Sequence, residues 1–409
     1  MDDRAAKKLH DSPQSDAATP WGLLLLLLMA MTSIGPTTLN ILLPALPELA
    51  RKLSADIPTL QLTVSLFLLG LAGAQLVMGP LSDRFGRRPV LLGGFALTAT
   101  ASLLAVAISS IESLVLARIL QAVGASAGVV VSRAIIRDLF DRERAASMIG
   151  LVATVMVVVP TFGPLIGGVL DTAFGWEAIF VFTAATSLAV LAWAAVTLPE
   201  TRGLNAPAGA QEGFLRDLRH LTGSASFAGY VLVAAFGSAT FFAFLGGSPH
   251  VVVTLMGRSS AEYGVWFAIS ALGYMAGNFS ASRLAMRFGV ERLILWGILI
   301  EVVGVALATG LAAFAPHWGP AIVFLPQMVI SLGNGVMLPG AISGAVSVRP
   351  QAAGTAAGIT GCVQMTIGAA STQYAGTLLA GASSAMPLAI LMVVLVIATA
   401  VSFAPLMRR

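Results

Sequence analysis

Charged residues are scarce enough in this 409-residue chain that each cluster limits the chemistry available. The first cluster is Gly79-Pro-Leu-Ser-Asp-Arg-Phe-Gly-Arg-Arg-Pro89, in which Asp83 sits beside Arg84, Arg87 and Arg88 between two long uncharged runs. Such a turn can form and break ion pairs. Gly79 and Gly86 allow tight backbone there, and a carboxylate can also sit at a helix N-terminus. The second cluster is Leu116-Ala-Arg118-Ile-Leu-Gln121-Ala-Val-Gly124, with Gln121 on the same helix face as Arg118. By helical rise Arg118 lies about 8 Å inside an apolar segment, where a cation faces a cavity or a partner, or snorkels outward.

The remaining acids offer proton carriers. Glu301 lies deep in an apolar run and reads as either a carrier or a packed residue. Asp171, Glu177 and Glu262 fall at segment ends and read as solvated, with Asp171 an alternative proton route. Nucleophilic chemistry is not supported. Gly124-Ala-Ser126-Ala-Gly128 fits the letters of a nucleophile elbow, but it lies in a helix-forming apolar run without histidine and acid partners. The four histidines are dispersed and the single cysteine, Cys362, sits in an apolar run, so no metal site, cofactor or internal disulfide is expected.

These groups must be held by membrane helices. Hydrophobic residues make up 57% and charged residues 10%, far below the roughly 25% charge of soluble domains. Mean hydropathy is +0.89. Twelve apolar segments are long enough to cross about 30 Å of hydrocarbon: 21–43, 58–80, 89–108, 113–135, 145–170, 176–197, 225–247, 261–282, 291–313, 319–344, 354–380 and 385–406. Residues 1–20 read as a disordered tail. The polar break 199–224 divides the rest into bundles 21–198 and 225–406. Shifting by 203 residues lays Leu69-Gly70 on Leu272-Gly273 and Arg84-Phe85-Gly86 on Arg287-Phe288-Gly289, although Met286 stands where Asp83 would fall. The fold class is therefore all-α, two related six-helix bundles. Nineteen Lys/Arg fall on the tail's side and four on or near the other, which puts both termini in the cytoplasm. The net charge of +4 belongs to these loops, so no nucleic-acid partner is expected.

The hinge Gly79-x-Leu81-x-Asp83-Arg84-x-Gly86-Arg87-Arg88-x-x-Leu91 resembles the loop between helices 2 and 3 of the major facilitator superfamily. Arg118-x-x-Gln121-x-x-Gly124 is similar to that superfamily's helix 4 motif, associated with proton coupling. Gly163-Pro164-Leu-Ile-Gly167-Gly168 resembles its antiporter signature in helix 5, with Val159 where a glycine is usual. Together with Leu42-Leu-Pro-Ala-Leu-Pro-Glu48 and Ser132-Arg-Ala-Ile-Ile-Arg-Asp-Leu-Phe140, the match points to the bicyclomycin/chloramphenicol-resistance branch of drug:proton antiporters. That branch ends helix 1 with an aspartate, whereas this chain has Asn40, an amide that cannot exchange a proton.

The resemblance implies a monomeric carrier in a bacterial inner membrane, driven by the proton-motive force without a cofactor. It would export a small amphipathic drug or metabolite, with protons and membrane lipid as its other partners. The hinge acts as the gate. Substrate would bind near the midplane between the bundles. Candidate contacts are Thr37, Asn40, Gln61, Ser65 and Arg118 in the first half, and Phe236, Phe241, Phe244, Trp266, Asn278, Gln327, Asn334 and Gln364 in the second. A physiological solute exporter is the second reading, and a non-transporting receptor or scaffold the third.

Overall fold

A computed structural model describes residues 21–107, 109–140, 144–145, 148–149, 151–152, 158–159, 161–201, 220–349 and 352–407. The tail 1–20, most of the 199–224 linker and much of the first half of the fifth predicted span lie outside these residues. The described chain is helical throughout: α1 (Trp21–Asn40), α2 (Leu46–Lys52), α3 (Ile57–Phe85), α4 (Arg87–Val106), α5 (Ile111–Leu139), α6 (Gly163–Phe174), α7 (Glu177–Thr197), α8 (Ala225–Pro249), α9 (Ser260–Phe288), α10 (Val290–Phe314), α11 (Ala321–Ser347), α12 (Ala353–Leu379) and α13 (Met386–Phe403). Setting aside α2, these are the twelve segments read from the sequence. Among the described residues nine helices are long and apolar enough to span a membrane. Glycine, serine, threonine and amide side chains keep α9 and α12 out of that group, and only twelve residues of α6 are described.

Local chemistry starts and stops these helices. Asp56, Ser110, Ser224 and Ser259 each accept the backbone N–H three residues on, capping α3, α5, α8 and α9. Helix α2 is not among the segments read from the sequence. It forms because Pro47 suits a first turn, Glu48 and the pair Arg51/Lys52 complement the helix dipole, and Leu46 and Leu49 are buried. Pro249 cannot continue an α-helical ladder, and α8 relaxes into a π-helical turn over His250–Leu255. Apolar side chains such as Leu104, Val196, Val303 and Val394 stand exposed on the outer faces, as lipid contact requires.

Helices α3 and α4 pack on α5, while α9 and α10 pack on α11. The same crossings recur in both halves. A Cβ on Gly94 would come within 2.7 Å of the Gly124 carbonyl oxygen, and one on Gly297 within 2.7 Å of that of Gly333. Thr98 faces Gly124 as Glu301 faces Gly333. At the hinge and its counterpart the chain turns through Gly86 (φ 102°) and Gly289 (φ 82°).

The halves meet at the end of the molecule opposite the hinge. There α3 packs on α12 and α6 on α9. A buried apolar cluster runs across the join, with Leu42, Leu46 and Leu60 from one side and Phe242, Val251 and Leu379 from the other. Among the described residues five hydrogen bonds cross it. Gln61 Nε2 donates to Gly246 O (2.6 Å), Ser65 Oγ to Gln373 Oε1 (3.0 Å), Gln373 Nε2 to Pro58 O (2.8 Å), Ser260 Oγ to Pro44 O (3.0 Å), and Ala261 N to Thr172 Oγ1 (3.3 Å). Toward the hinge end, Gly73 of α3 and Gly354, Gly358 and Gly361 of α12 have open space where a side chain would project.

Candidate functional site

Arg118 is 1% exposed and ties four helices together. Its Nη1 donates to Thr38 O on α1 (3.0 Å) and to Gln121 Oε1 (2.9 Å), and its Nε to Thr63 O on α3 (3.3 Å). Gln121 Nε2 passes the connection to Ser102 Oγ on α4 (2.7 Å). The guanidinium carbon lies 4.3 Å from the centroid of the Phe67 ring. Burying a lone cation costs several kcal/mol. Charge-assisted hydrogen bonds at about 1.5–3 kcal/mol each, with a desolvated cation–π contact of about 2 kcal/mol, can offset that. Arg118 therefore faces protein partners, and the snorkelling alternative is excluded.

Three polar atoms around this clamp are buried without a partner: Arg118 Nη2, Thr37 Oγ1 and Asn40 Oδ1. An arginine donor, an amide-oxygen acceptor and a hydroxyl that can serve as either thus remain open beside the last turn of α1. That turn is backed by α6, since a Cβ on Gly163 would lie 3.2 Å from that of Asn40. Gly167 packs on the Ile41 carbonyl, and the opposite edge of α6 meets the other half. There a Cβ on Gly264 of α9 would lie 2.7 Å from Leu165 Cα. The α6 glycines thus join the end of α1 to the seam between the halves.

In the second half, Gln327 and Asn334 of α11 are 1% and 2% exposed. Gln327 Nε2 donates to Ser331 Oγ (3.1 Å) and Asn334 Nδ2 to Thr240 Oγ1 on α8 (3.1 Å), leaving Gln327 Oε1 and Asn334 Oδ1 open. Gln364 donates to Ala234 O (3.3 Å) and Asn278 to Tyr274 O (3.0 Å), within its own helix. Phe241, Phe244 and Trp266 belong to a packed aromatic cluster with Tyr263, Phe267 and Phe324, their centroids 5.5–6.3 Å apart. Phe244 is 1% exposed and so serves the core, while Phe236 is half-buried beside that cluster. Gln61 and Ser65 are engaged in the seam. Their partners Gln373 and Gly246, like Ser260, carry no signal in the sequence beyond being small or polar in a helix.

The hinge is built around Arg87, which bonds Asp83, Ser82 Oγ (2.8 Å) and Asp138 at the end of α5 (2.9 Å). Asp138 also accepts from Thr201 Oγ1 (3.2 Å). Of the two roles open to Asp83, the structure shows it accepting from an arginine side chain, Arg87, while Glu200 caps the helix that follows the hinge. Its two oxygens take the backbone N–H groups of Arg87 and Arg88. Arg88 also reaches Ala195 O (2.5 Å), and the Arg84 guanidinium lies over Phe85. Gly79 lies 3.9 Å, by its missing Cβ, from Val130 of α5.

Glu301 is fully buried against Gly333, and neither of its oxygens has a partner. Asp171 departs from the reading of the sequence, because it is buried at the seam rather than solvated. Glu177 is half-exposed and paired with Lys52 at 2.6 Å.

A profile of the Major Facilitator Superfamily matches residues 23–372. The chain is 32% identical over 345 residues to multidrug resistance protein D of Escherichia coli, covering 83% of this chain and 85% of that one. It is also 32% identical over 349 residues to a chloramphenicol resistance protein of Pseudomonas aeruginosa, covering 83% and 80%. A bicyclomycin resistance protein homolog of Haemophilus influenzae is 27% identical over 348 residues, covering 84% and 86%. Among solved structures, an inward-facing, unoccupied bacterial homolog of the human lysosomal transporter Spinster superposes with a TM-score of 0.75, at 17% identity and with 95% and 96% of the two chains covered. Twelve helices, the basic hinge, the buried helix 4 arginine and these matches together make the chain a multi-pass membrane transporter belonging to the Major Facilitator Superfamily.

Proposed function

We propose that this protein exports small amphipathic compounds, antibiotics among them, in exchange for protons entering the cell. The observation that carries the alternating-access part is the one-ended seam. Five hydrogen bonds and the close approach of α6 to α9 hold the halves together away from the hinge, while toward the hinge Gly73 of α3 and Gly354, Gly358 and Gly361 of α12 have open space beside them. The Lys/Arg bias puts the hinge in the cytoplasm, so this form opens inward. Rocking of 21–198 against 225–406 would break the seam and bring Asp83 toward the other half.

The open polar atoms of Thr37, Asn40, Arg118, Gln327 and Asn334 would receive substrate. They offer an arginine donor, three amide-oxygen acceptors and a hydroxyl that can do either, without a free carboxylate, which suits a neutral or weakly charged molecule. The names of the curated relatives support a drug as the cargo. Proton entry supplies about 2.3 kcal/mol per charge per 100 mV. No bound cofactor is needed, and the inner membrane of a bacterium is the expected location.

Asn40 favours a second reading, a physiological solute exporter for which drugs are incidental, because an amide at that position cannot carry the proton. Purified protein in proteoliposomes separates the two. Drug-dependent proton release that disappears in Arg118→Ala supports antiport, and drug flux insensitive to a pH gradient rejects it.

A further inference from the structure

Helix α2 of the first half and the π-helical turn His250–Leu255 of the second pack on each other at the end opposite the hinge. Both line a cavity of about 840 Å³. That size falls within the roughly 300–1,000 Å³ of small-molecule sites. Its walls are apolar on both sides, with Leu46, Pro47 and Ala50 from α2 and Pro249 and Val253 from the other half.

The polar lining is graded by depth. Gln61 and Asp171 line the cavity at 2% and 6% exposure, and Gln61 Oε1 and Asp171 Oδ1 are buried without a hydrogen-bond partner. Gln61 already gives an N–H to Gly246 O across the seam, which leaves its oxygen over. An ionised Asp171 and the Gln61 oxygen only accept, so the deep end calls for a donor-rich cation. Arg51 and Arg258, one from each half, line the same cavity and are exposed. Arg51 has no ion pair among the described residues, and Arg258 reaches Glu262 only at 3.9 Å. Two guanidinium groups on the exposed side call for an anion. Glu48 and His250, both half-buried, complete the titratable lining. With the histidine neutral, two carboxylates balance two guanidinium groups, and the cavity selects for a ligand carrying both signs.

We infer that this cavity is a second binding site, reached from outside the cell, for a small zwitterion with an apolar body such as a short peptide. Its ammonium group sits deep, against Asp171 and Gln61, and its carboxylate lies toward solvent, at Arg51 and Arg258. Its side chains lie between α2 and the π-helical turn. Because the walls come from both halves, the site exists only while the halves are joined at that end. A bound zwitterion therefore favours the joined form by as much as it prefers that form. Its use as a brake on export rests on the alternating-access reading, whereas the site itself does not.

The probe is the dipeptide leucyl-phenylalanine, titrated calorimetrically into the full-length protein in nanodiscs. It should bind one to one. The N-acetyl dipeptide lacks the ammonium group and the C-terminal amide lacks the carboxylate, and each should bind about tenfold more weakly or worse. Asp171→Asn, and Arg51→Ala combined with Arg258→Ala, should each cost the unmodified dipeptide a similar factor. Gly264→Ala lies outside the cavity and acts only through the joined fraction. Spin labels at the exposed positions Phe174→Cys and Ser383→Cys, in a Cys362→Ser background, measure that fraction by pulsed EPR. Dipeptide affinity in Gly264→Ala should fall by the same factor as the joined fraction. No dipeptide binding, equal binding of the N-acetyl form, or wild-type affinity in both cavity variants would each overturn the site. Unchanged affinity in a Gly264→Ala protein whose halves have separated would place the site within one half and overturn it as proposed. A protein that binds the dipeptide as expected yet moves no drug supports the site and rejects the export reading.

Discussion

The carboxylate of Glu200 holds the backbone N–H of Arg87 at 2.8 Å with one oxygen and that of Arg88 at 3.1 Å with the other. The first residues of the connection between the halves thus cap the helix that leaves the hinge. Gly86 makes room for it, because a Cβ there would lie 2.6 Å from Glu200 Oε2 at a φ of 102°. Glu200→Ala should lower stability by about 1 kcal/mol, the usual worth of an exposed cap. Gly86→Ala, strained and in collision, should cost about 1–3 kcal/mol. Thermal unfolding in detergent measures both, and a Glu200→Ala protein that melts at the wild-type temperature removes the capping role.

Arg118→Lys tests whether charge or geometry matters in the clamp. An ammonium group cannot serve Thr38 O, Thr63 O and Gln121 Oε1 from one fixed fork while stacking on Phe67. The variant should fold with a loss of about 2–3 kcal/mol. Drug-driven flux should drop at least tenfold. Flux at the wild-type level would mean that the positive charge alone suffices.

Gly264→Ala addresses the seam. Its added methyl group would meet the backbone of α6 only while the halves are joined at that end. Folding within each half should persist, and the joined form should lose at least tenfold in population, equivalent to about 1.4 kcal/mol. Accessibility of a cysteine placed in the seam reads this out. An unchanged labelling rate would show that α6 and α9 adjust without separating.

Glu301→Gln should leave transport within about twofold of wild type and leave the melting temperature equal or higher. A buried carboxyl with two unpartnered oxygens contributes no hydrogen bond to lose, and a neutral amide is the cheaper group to bury. A tenfold fall in drug-dependent proton flux, with stability intact, would instead assign the proton to Glu301.

The twelve helices were legible because spanning a membrane demands long apolar segments, and those leave little ambiguity. Arg118 was legible for the converse reason: a cation is conspicuous in an apolar helix. Partners were harder to read. Asp171 lies at a helix end, which reads as solvated, but α6 packs on α9 of the other half and Asp171 is buried there, a contact no local pattern announces. Phe244 and Trp266 looked like ligand contacts, but an aromatic side chain reads the same whether it lines a pocket or packs against Phe324. Glu200 escaped notice because a cap from a distant loop has no local sequence signature.

The paired crossings of Gly94 with Gly124 and Gly297 with Gly333 bear on the protein's ancestry. Where two backbones touch, a side chain can be added only by displacing a helix, whereas a neighbouring residue can change without moving anything. A gene duplication would leave such a trace: touching points shared by both halves, while Thr98 in one stands where Glu301 stands in the other, and Asp83 where Met286 does. The second half shares the scaffold of the first and has Met286 in place of its hinge acid.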